Sequence, residues 1–281
     1  MDVLINELSL EGQYSTVNEF LSDGLSAFIN VLDEISITNH LLLKKYDFYK
    51  TRITKEKILH DILVGNISRE YDLIRKFKRK LSMLIEGPYW EDDKKHSDDD
   101  SYLFGNGKIN GSSLAESCER DRVVVSFLHS KFKILEIPVF RNRDEILLDN
   151  LYDEFHFLEL RRSREELSFE EYVRLKFADT KLNFSLIDDK FGFALLNTTD
   201  EENAFLSSFD KFIKMSWDGI LMDVGFEYKT YKNRNIFKRK YSDKNIHKFR
   251  TSQKYRCFGY RENDTFFVIR FESDHKLSDR G

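Results

Sequence analysis

Cysteine and proline are both scarce in this chain of 281 residues, which has two of each. Secreted proteins usually carry several disulfide pairs, and collagen-like or linker-rich chains need far more proline and glycine than the two prolines and 12 glycines present. The two cysteines, Cys118 and Cys257, are too far apart in the sequence for a clustered metal motif. These scarcities predict a globular protein of the reducing cytoplasm.

Long apolar runs are also absent. The longest lie at residues 123–128 and 265–271, and both are far shorter than the roughly 20 residues that cross a bilayer. The amino terminus carries Asp2 and Glu7, where a secretory signal needs basic residues followed by an apolar run. We therefore expect neither a membrane-spanning segment nor a secretory signal.

Three common enzyme motifs are missing as well. The turn at Gly105-Asn106-Gly107 is not followed by the Gly-Lys-Ser or Gly-Lys-Thr of a phosphate loop. No Gly-x-Ser-x-Gly elbow and no His-Glu-x-x-His helix occurs anywhere in the chain. ATP binding at a phosphate loop, α/β-hydrolase chemistry and zinc-protease chemistry are not indicated, and we expect no cofactor.

The chain is instead rich in charge and in aromatic residues, and its charge is distributed unevenly. Charged residues make up 33% of the chain, and it has 25 Phe and 13 Tyr. Residues 229–261 contain twelve Lys or Arg residues, opposed within the segment only by Asp243. The rest of the chain holds 33 basic and 48 acidic residues. This asymmetry is typical of a protein with a local polyanion-binding surface.

The hydrophobic pattern predicts an α+β fold: a mixed α/β amino-terminal domain and a small carboxyl-terminal antiparallel sheet with helices. The charged run at residues 161–166 marks the boundary, which gives an acidic domain of unknown role over residues 1–165 and a basic domain over 166–281. The specific expectations are a strand at 3–5, helices at 68–86 and 146–160, a strand pair at 182–187 and 191–196, and a hairpin turn at 261–264.

The basic segment interleaves its cations with aromatic residues, a combination suited to single-stranded nucleic acid. Lys and Arg displace counterions from phosphates, and exposed rings stack on unpaired bases. The aromatic residues are Tyr228, Tyr231, Phe237, Tyr241, Phe249, Tyr255, Phe258 and Tyr260. The residues predicted to contact nucleic acid are Lys238, Arg239, Lys240, Lys248, Arg250, Lys254 and Tyr255. The alternative interpretation is a solvated basic loop whose aromatic neighbours lie in the core.

The carboxyl-terminal part resembles the RelE/ParE/HigB superfamily of small bacterial toxins. The resemblance rests on Ser216-Trp217-Asp218-Gly219-Ile220, Ile246-His247-Lys248-Phe249-Arg250, residues 254–261, Phe267-Val268-Ile269-Arg270-Phe271 and Asp274-His275-Lys276. It covers roughly 80 of the 281 residues. It implies a small antiparallel sheet with helices and either metal-free RNA cleavage, usually on the ribosome, or gyrase poisoning without cleavage. It also implies RNA or the ribosome, and an antitoxin or other defence-system protein, as partners.

Metal-free RNA cleavage needs a base for the 2′-hydroxyl proton, an acid for the leaving oxygen and cations for the phosphorane charge. We predict that His275 or His247 is the base or acid, that Arg250, Arg256 and Lys248 contact the phosphate, and that Tyr260 or Tyr255 donates a proton or stacks on a base. Residues 87–127 resemble uncharacterised bacterial proteins of mobile elements, which implies a role in phage defence.

Two alternatives remain open. The first is a non-catalytic nucleic-acid-binding subunit of a defence complex. The second is a metal-dependent endonuclease, because Asp218, Glu227 and Lys229 approximate an arrangement that binds magnesium through carboxylates beside a lysine. The acidic stretch around His96 could hold a divalent ion, but its ligand spacing is not that of an EF-hand and it is more typical of a solvated loop.

Overall fold

The protein has an α+β fold with two mixed β-sheets, which confirms the predicted class. The computed structural model describes residues 1–38, 40–64, 75, 79, 88–232, 237, 240–273 and 276–277. The chain divides into two compact units, Met1–Leu160 and Arg161–Gly281. No helix within the described residues is long and apolar enough to cross a bilayer.

The first unit is built on a seven-stranded sheet. Its strands are β1 Asp2–Ile5, β2 Leu41–Leu43, β3 Tyr102–Phe104, β4 Gly107–Lys108, β5 Val123–Val125, β6 Glu136–Arg141 and β7 Asp144–Leu151. Their order in the sheet is β2-β1-β5-β7-β6-β3-β4. The first four are parallel to one another, whereas β6, β3 and β4 are added antiparallel.

The central strands of this sheet are buried on both faces. Val3 and Ile5 of β1 pack into one apolar cluster and Leu4 packs into another, as the alternation of side chains along a strand requires. Strand β5 repeats this pattern. Strands covered on both faces read as continuous apolar runs, which is why the short run at residues 3–5 predicted β1 correctly.

Helices and short turns connect these strands. Thr16 caps the first helix by accepting a hydrogen bond from the backbone N–H of Glu19. That helix, α1, is Val17–Glu19, and it continues through the π-helical segment Phe20–Leu25 into α2, Ser26–Ser36. The other helices are α3 Leu59–Val64, α4 Ser113–Ser117 and α5 Glu154–Ser163, and there are 3₁₀ turns at Glu7–Ser9, Phe48–Lys50 and Trp90–Asp93.

Two predicted elements differ from the structure. The helix expected at 146–160 is wrong over its first half, because β7 continues to Leu151 and α5 begins only at Glu154. The strand expected at 191–196 is a 3₁₀ turn, Phe193–Leu195, so the strand pair does not form. The helix expected at 68–86 lies outside the described residues apart from Arg75 and Arg79.

His96 is not part of a solvated loop. Its side chain is fully buried, and its Nδ1 lies 2.6 Å from Oε2 of the equally buried Glu116. Arg120 binds the other oxygen of Glu116 through Nε at 2.6 Å and reaches Asp2 at 2.8 Å. The acidic segment is therefore attached to the first unit at His96, through a buried network that includes the Glu116–Arg120 ion pair.

The second unit is built on a five-stranded sheet. Its strands are β8 Leu182–Asn183, β9 Lys229–Thr230, β10 Ile246–Arg250, β11 Arg256–Glu262 and β12 Thr265–Glu272, in the order β8-β12-β11-β10-β9. All neighbours are antiparallel except β8, which is parallel to β12. The helices are α6 Phe169–Lys176, α7 Thr199–Lys214 and α8 Trp217–Met222.

Both faces of the central strand β11 are covered. On one face, Phe205 and Phe212 of α7 pack on sheet residues such as Phe271 and Phe249. On the other face, an apolar cluster contains Tyr231, Phe237, Tyr241, Ile246, Phe258, Tyr260, Ile269 and Leu277. The basic segment therefore contributes its own aromatic residues to the core of this unit.

Candidate nucleic-acid interface

The described cations of the basic segment differ in their exposure. Lys240 and Lys254 are exposed, whereas Lys248 and Arg250 are partly buried. Lys248 lies over the ring of Tyr231 at 5.7 Å. The other predicted cations, Lys238 and Arg239, lie outside the described residues, as does the predicted catalytic residue His275.

Two of these cations are paired with acids from outside the segment. Nζ of Lys254 lies 2.7 Å from Glu201, and this hydrogen bond is the main reason why the pKa of Glu201 falls to about 2. Arg250 lies 2.6 Å from Glu227. A phosphate group at either position would have to compete with a carboxylate, so the surface is less positive than the sequence count indicates.

The aromatic residues of the segment are not available to stack on bases in this conformation. Tyr255 is 2% exposed and Tyr260 is 6% exposed, because each packs into the core on one face of the sheet. The rings of Tyr231, Phe237, Tyr241, Phe249 and Phe258 are buried as well, and Tyr228 is half-buried. The prediction of exposed stacking rings is therefore wrong, and the alternative that the aromatics lie in the core is correct.

The structure does not bring the described catalytic candidates together. His247 lies opposite Gly259 in the sheet, and Tyr260 points to the other face, into the apolar cluster with Tyr241. Arg256 lies three residues before Gly259 along β11, which is about 10 Å at the usual rise per residue. Its guanidinium donates to the carbonyls of Ser252, Gln253 and Tyr255 and thereby holds the turn before β11.

A different set of residues surrounds His247. The ring of Tyr228 stacks on the imidazole, with centroids 5.0 Å apart and an interplanar angle of 21°. Oγ1 of Thr230 lies 3.5 Å from Nδ1 of His247. The hydroxyl of Tyr228 is buried and has no hydrogen-bond partner among the described residues. One polar group beside the imidazole is thus left unsatisfied.

Arg261 is the cation of this site. It lies two residues beyond Gly259, so its side chain is on the same face of the sheet as His247. The guanidinium lies 3.9 Å from the ring centroid of Trp217, and its Nε donates to the carbonyl of Asn263. Trp217 in turn donates its Nε1–H to Asp264 at 2.5 Å. We call His247, Tyr228, Thr230, Arg261 and Trp217 the His247 cluster.

Burial and Arg261 together set the electrostatics of the His247 cluster. Burial lowers the pKa of His247 below its ordinary value of 6.5, and the positive charge of Arg261 lowers it further. Burial raises the pKa of Tyr228, and Arg261 opposes this effect. At neutral pH the cluster therefore presents a neutral imidazole that can accept a proton, beside a fixed cation that can bind an anion.

The sequence pattern includes Arg261 among the cations of the basic segment but does not indicate that it lies near His247. The two residues are fourteen positions apart, and only the register of β10 on β11 places them on one face.

Two residues of the metal-dependent alternative already form ion pairs. Glu227 pairs with Arg250 at 2.6 Å and with Lys229 at 3.7 Å. The described residues contain no group of three or more His, Cys, Asp or Glu that could hold a metal ion.

Comparison with known proteins finds no relative. No protein-family model matches the chain, and no curated protein or solved structure shows significant similarity to it.

Proposed function

We propose that this protein binds RNA through the basic surface of its second unit and cleaves it without a metal ion at the His247 cluster. The observation that carries the proposal is the neutral imidazole of His247 beside the guanidinium of Arg261, which forms no ion pair within the described residues. A cation without a counter-carboxylate is available for a phosphate.

The chemistry follows from the two side chains. Neutral His247 can take the proton of a 2′-hydroxyl, whose oxygen then attacks the adjacent phosphorus and expels the 5′-oxygen. The leaving oxygen takes a proton from water, and the imidazolium returns its own proton to solvent. The guanidinium of Arg261 can stabilise the charge that develops on the phosphate oxygens. The ring of Tyr228 stacks on the imidazole and holds its orientation.

Binding in this proposal depends on phosphates and not on bases. The exposed cations are Lys229, Lys232, Lys240, Lys254 and Arg261. Because the aromatic residues nearby are buried, backbone contacts supply the affinity and little sequence preference is expected. The resemblance of this region to the RelE/ParE/HigB superfamily supports a toxin or phage-defence role, with the ribosome as the place of cleavage and an antitoxin or defence protein as partner.

The second candidate function is a binding subunit without catalysis. Two observations favour it: Tyr260 is buried on the opposite face from His247, and Arg256 holds a turn. Under this alternative the basic surface holds an RNA strand while a partner performs the chemistry.

The test is a cleavage assay with the full-length protein in a translation extract that contains labelled mRNA and labelled plasmid. EDTA is added after ribosomes have stalled, so that metal dependence is measured on preformed complexes. Wild type is compared with His247→Ala and Arg261→Gln, and with His60→Ala as a control, because His60 is an exposed histidine in the first unit.

We expect RNA cuts that survive EDTA, persist in His60→Ala and are much slower in His247→Ala and Arg261→Gln. RNA binding without cuts would favour the binding subunit. DNA cuts that EDTA abolishes would contradict the proposal and favour the metal-dependent alternative with Asp218, Glu227 and Lys229.

A further inference from the structure

A cavity of about 750 Å³ lies at one edge of the sheet in the first unit. Glu7 and Leu8, which line it, follow β1 directly, and Lys45 follows β2 by two residues. Lys131 and Phe132 come from the segment after β5. The cavity therefore lies at the carboxyl ends of three parallel strands.

The cavity coincides with a reversal in the strand order of the sheet. From β1 the chain passes to β2 on one side and, later, to β5 on the other, so the strand order reverses between β1 and β5. The loops that leave the carboxyl ends of two such strands diverge and open a crevice, and ligands of open α/β sheets bind in that crevice. The volume also falls within the range of roughly 300–1,000 Å³ that is usual for small-molecule sites.

Three lysines from three separate segments line the cavity: Lys45 after β2, Lys108 in β4 and Lys131 after β5. Lys45 is 3.6 Å from Asp47, and within the described residues neither Lys108 nor Lys131 forms an ion pair. Cations from separate segments that line one cavity form a site for an anion with several oxygens, such as a phosphate group.

The cavity is also lined by a buried carboxyl group, that of Glu7, which is 7% exposed. It accepts a hydrogen bond from the backbone N–H of Ser113 at 3.0 Å, and Trp90 holds the Ser113 hydroxyl through Nε1–H at 3.1 Å. Burial raises the pKa of Glu7, and the Ser113 hydrogen bonds and Lys45 oppose that shift. A carboxyl fixed in this way can bind a hydroxyl or an amino group of a ligand.

Another part of the lining is the partly buried ring of Phe104, which packs on the buried ring of Phe132. The rings of Phe104 and Phe132 stack with centroids 5.1 Å apart and 18° between planes. Phe104 leads into the β3–β4 turn, where Gly105 adopts a φ of +56° and a Cβ would meet no atom within 4 Å. Gly111 has a φ of +73° and is similarly open. The glycines keep the rim free of side chains beside a flat apolar surface.

We propose that this cavity binds a nucleoside phosphate. The lysines bind the phosphate groups, Glu7 bonds to a sugar hydroxyl or to the edge of the base, and the partly buried ring of Phe104 provides the surface against which the base packs. The site lies entirely within the first unit and uses no residue of the His247 cluster.

Isothermal titration of the full-length protein tests this proposal. The ligands are the mono-, di- and triphosphates of adenosine, guanosine, cytidine and uridine. The four free nucleosides and inorganic phosphate are the controls, because each supplies only one part of a nucleotide. We expect at least one nucleotide to bind more tightly than both its nucleoside and inorganic phosphate.

The variants Lys45→Gln and Lys131→Gln should each weaken binding of that nucleotide roughly tenfold, the loss of one charge-assisted contact. Lys133→Gln is the matched control, because Lys133 is exposed two residues from Lys131 and does not line the cavity. Lys131 is exposed as well, so its replacement tests the site without affecting folding. His247→Ala should bind the nucleotide like wild type, which separates this site from the proposed RNA site.

The proposal is wrong if no nucleotide binds with a Kd below about 1 mM. It is also wrong if inorganic phosphate binds as tightly as the best nucleotide, or if Lys131→Gln and Lys133→Gln bind that nucleotide equally well.

Discussion

At the scale of single residues, Arg261 and His247 decide whether the second unit can perform acid–base chemistry. A solvated histidine at neutral pH is partly protonated, whereas burial and the neighbouring guanidinium keep His247 neutral. The guanidinium is itself held in place by Trp217, which Asp264 orients. Four residues from three segments thus combine to hold one base and one cation side by side.

This arrangement predicts a particular pH dependence of RNA cleavage. Because the pKa of His247 is lowered, the rate should be constant around pH 7 and fall only below the ordinary histidine value of 6.5. Arg261→Gln removes the nearby positive charge, so the pKa of His247 rises and the acid limb of the pH–rate profile moves to higher pH. His247→Ala should lower the rate by roughly 10² to 10⁴-fold. An acid limb at the same pH in wild type and Arg261→Gln would contradict this role of Arg261.

A second residue-scale prediction concerns the buried pair of His96 and Glu116. Glu116→Gln removes the buried carboxylate that binds both His96 and Arg120, and it should lower the free energy of unfolding by about 3 kcal/mol, measured by urea denaturation. Asp98→Asn, which breaks a surface ion pair with Lys94, should stay close to wild type. Equal losses of unfolding free energy in the two variants would show that the buried pair contributes no more to stability than the surface pair.

The same pair also predicts how stability depends on pH. Burial of Glu116 opposes its ionisation, but hydrogen bonds from His96, Lys95 and Arg120 outweigh burial and lower its pKa below the ordinary 4.5. A carboxyl with a lowered folded-state pKa contributes stability above the unfolded pKa, and this contribution is lost as the pH falls through the folded value. The urea midpoint of wild type should therefore fall below about pH 4.5 more steeply than that of Glu116→Gln.

At the scale of elements, the sequence predicts a strand well from a short continuous apolar run such as that of β1, and poorly where the apolar spacing also fits a helix. Ile146, Leu147 and Leu151 have spacings compatible with a helix, yet β7 buries Ile146 and Leu148 and leaves Leu147 46% exposed. Its partners β5 and β6 determine this outcome, and pairing with them is a long-range property. In β11, burial on both faces likewise places Tyr260 in the core, although the local pattern predicted an exposed ring there.

Strand β11 also yields a prediction at Gly259, next to its β-bulge. A Cβ at this position would lie 2.2 Å from the carbonyl oxygen of Phe267 and 2.6 Å from the ring of Phe266. Gly259→Ala should therefore lower the free energy of unfolding by about 2–3 kcal/mol, the usual effect of overpacking a core. Gly107→Ala is the control, because its nearest atom is 3.6 Å away. A Gly259→Ala protein as stable as Gly107→Ala would show that β12 shifts freely.

At the scale of the whole molecule, charge asymmetry is the feature that the sequence revealed most directly, because counting needs no fold. The pairing of those charges was hidden, since Glu201 and Glu227 lie outside the segment and reach Lys254 and Arg250 only in the folded unit. The His247 cluster was hidden for the same reason. Residue types can be read from the sequence, but their neighbours depend on strand register.

Salt dependence measures the phosphate contacts that this charge distribution provides. For single-stranded RNA, the logarithm of the binding constant should fall linearly with the logarithm of salt concentration, with a slope of about −0.7 for each phosphate neutralised. Lys240→Gln should reduce the slope by about 0.7, because Lys240 is exposed. Lys254→Gln should reduce it less, because Glu201 already neutralises Lys254. The opposite order would contradict the assigned ion pairs.

Hydrogen exchange of the full-length protein, measured by mass spectrometry with and without single-stranded RNA, tests most directly whether RNA binds at the His247 cluster. We expect slower exchange in peptides that cover β9, β10 and the β11–β12 turn, where the cluster lies, and no change in peptides of the seven-stranded sheet. In Arg261→Gln this protection should weaken. Protection confined to the first unit, or no protection at RNA concentrations that saturate binding, would contradict RNA binding at this cluster.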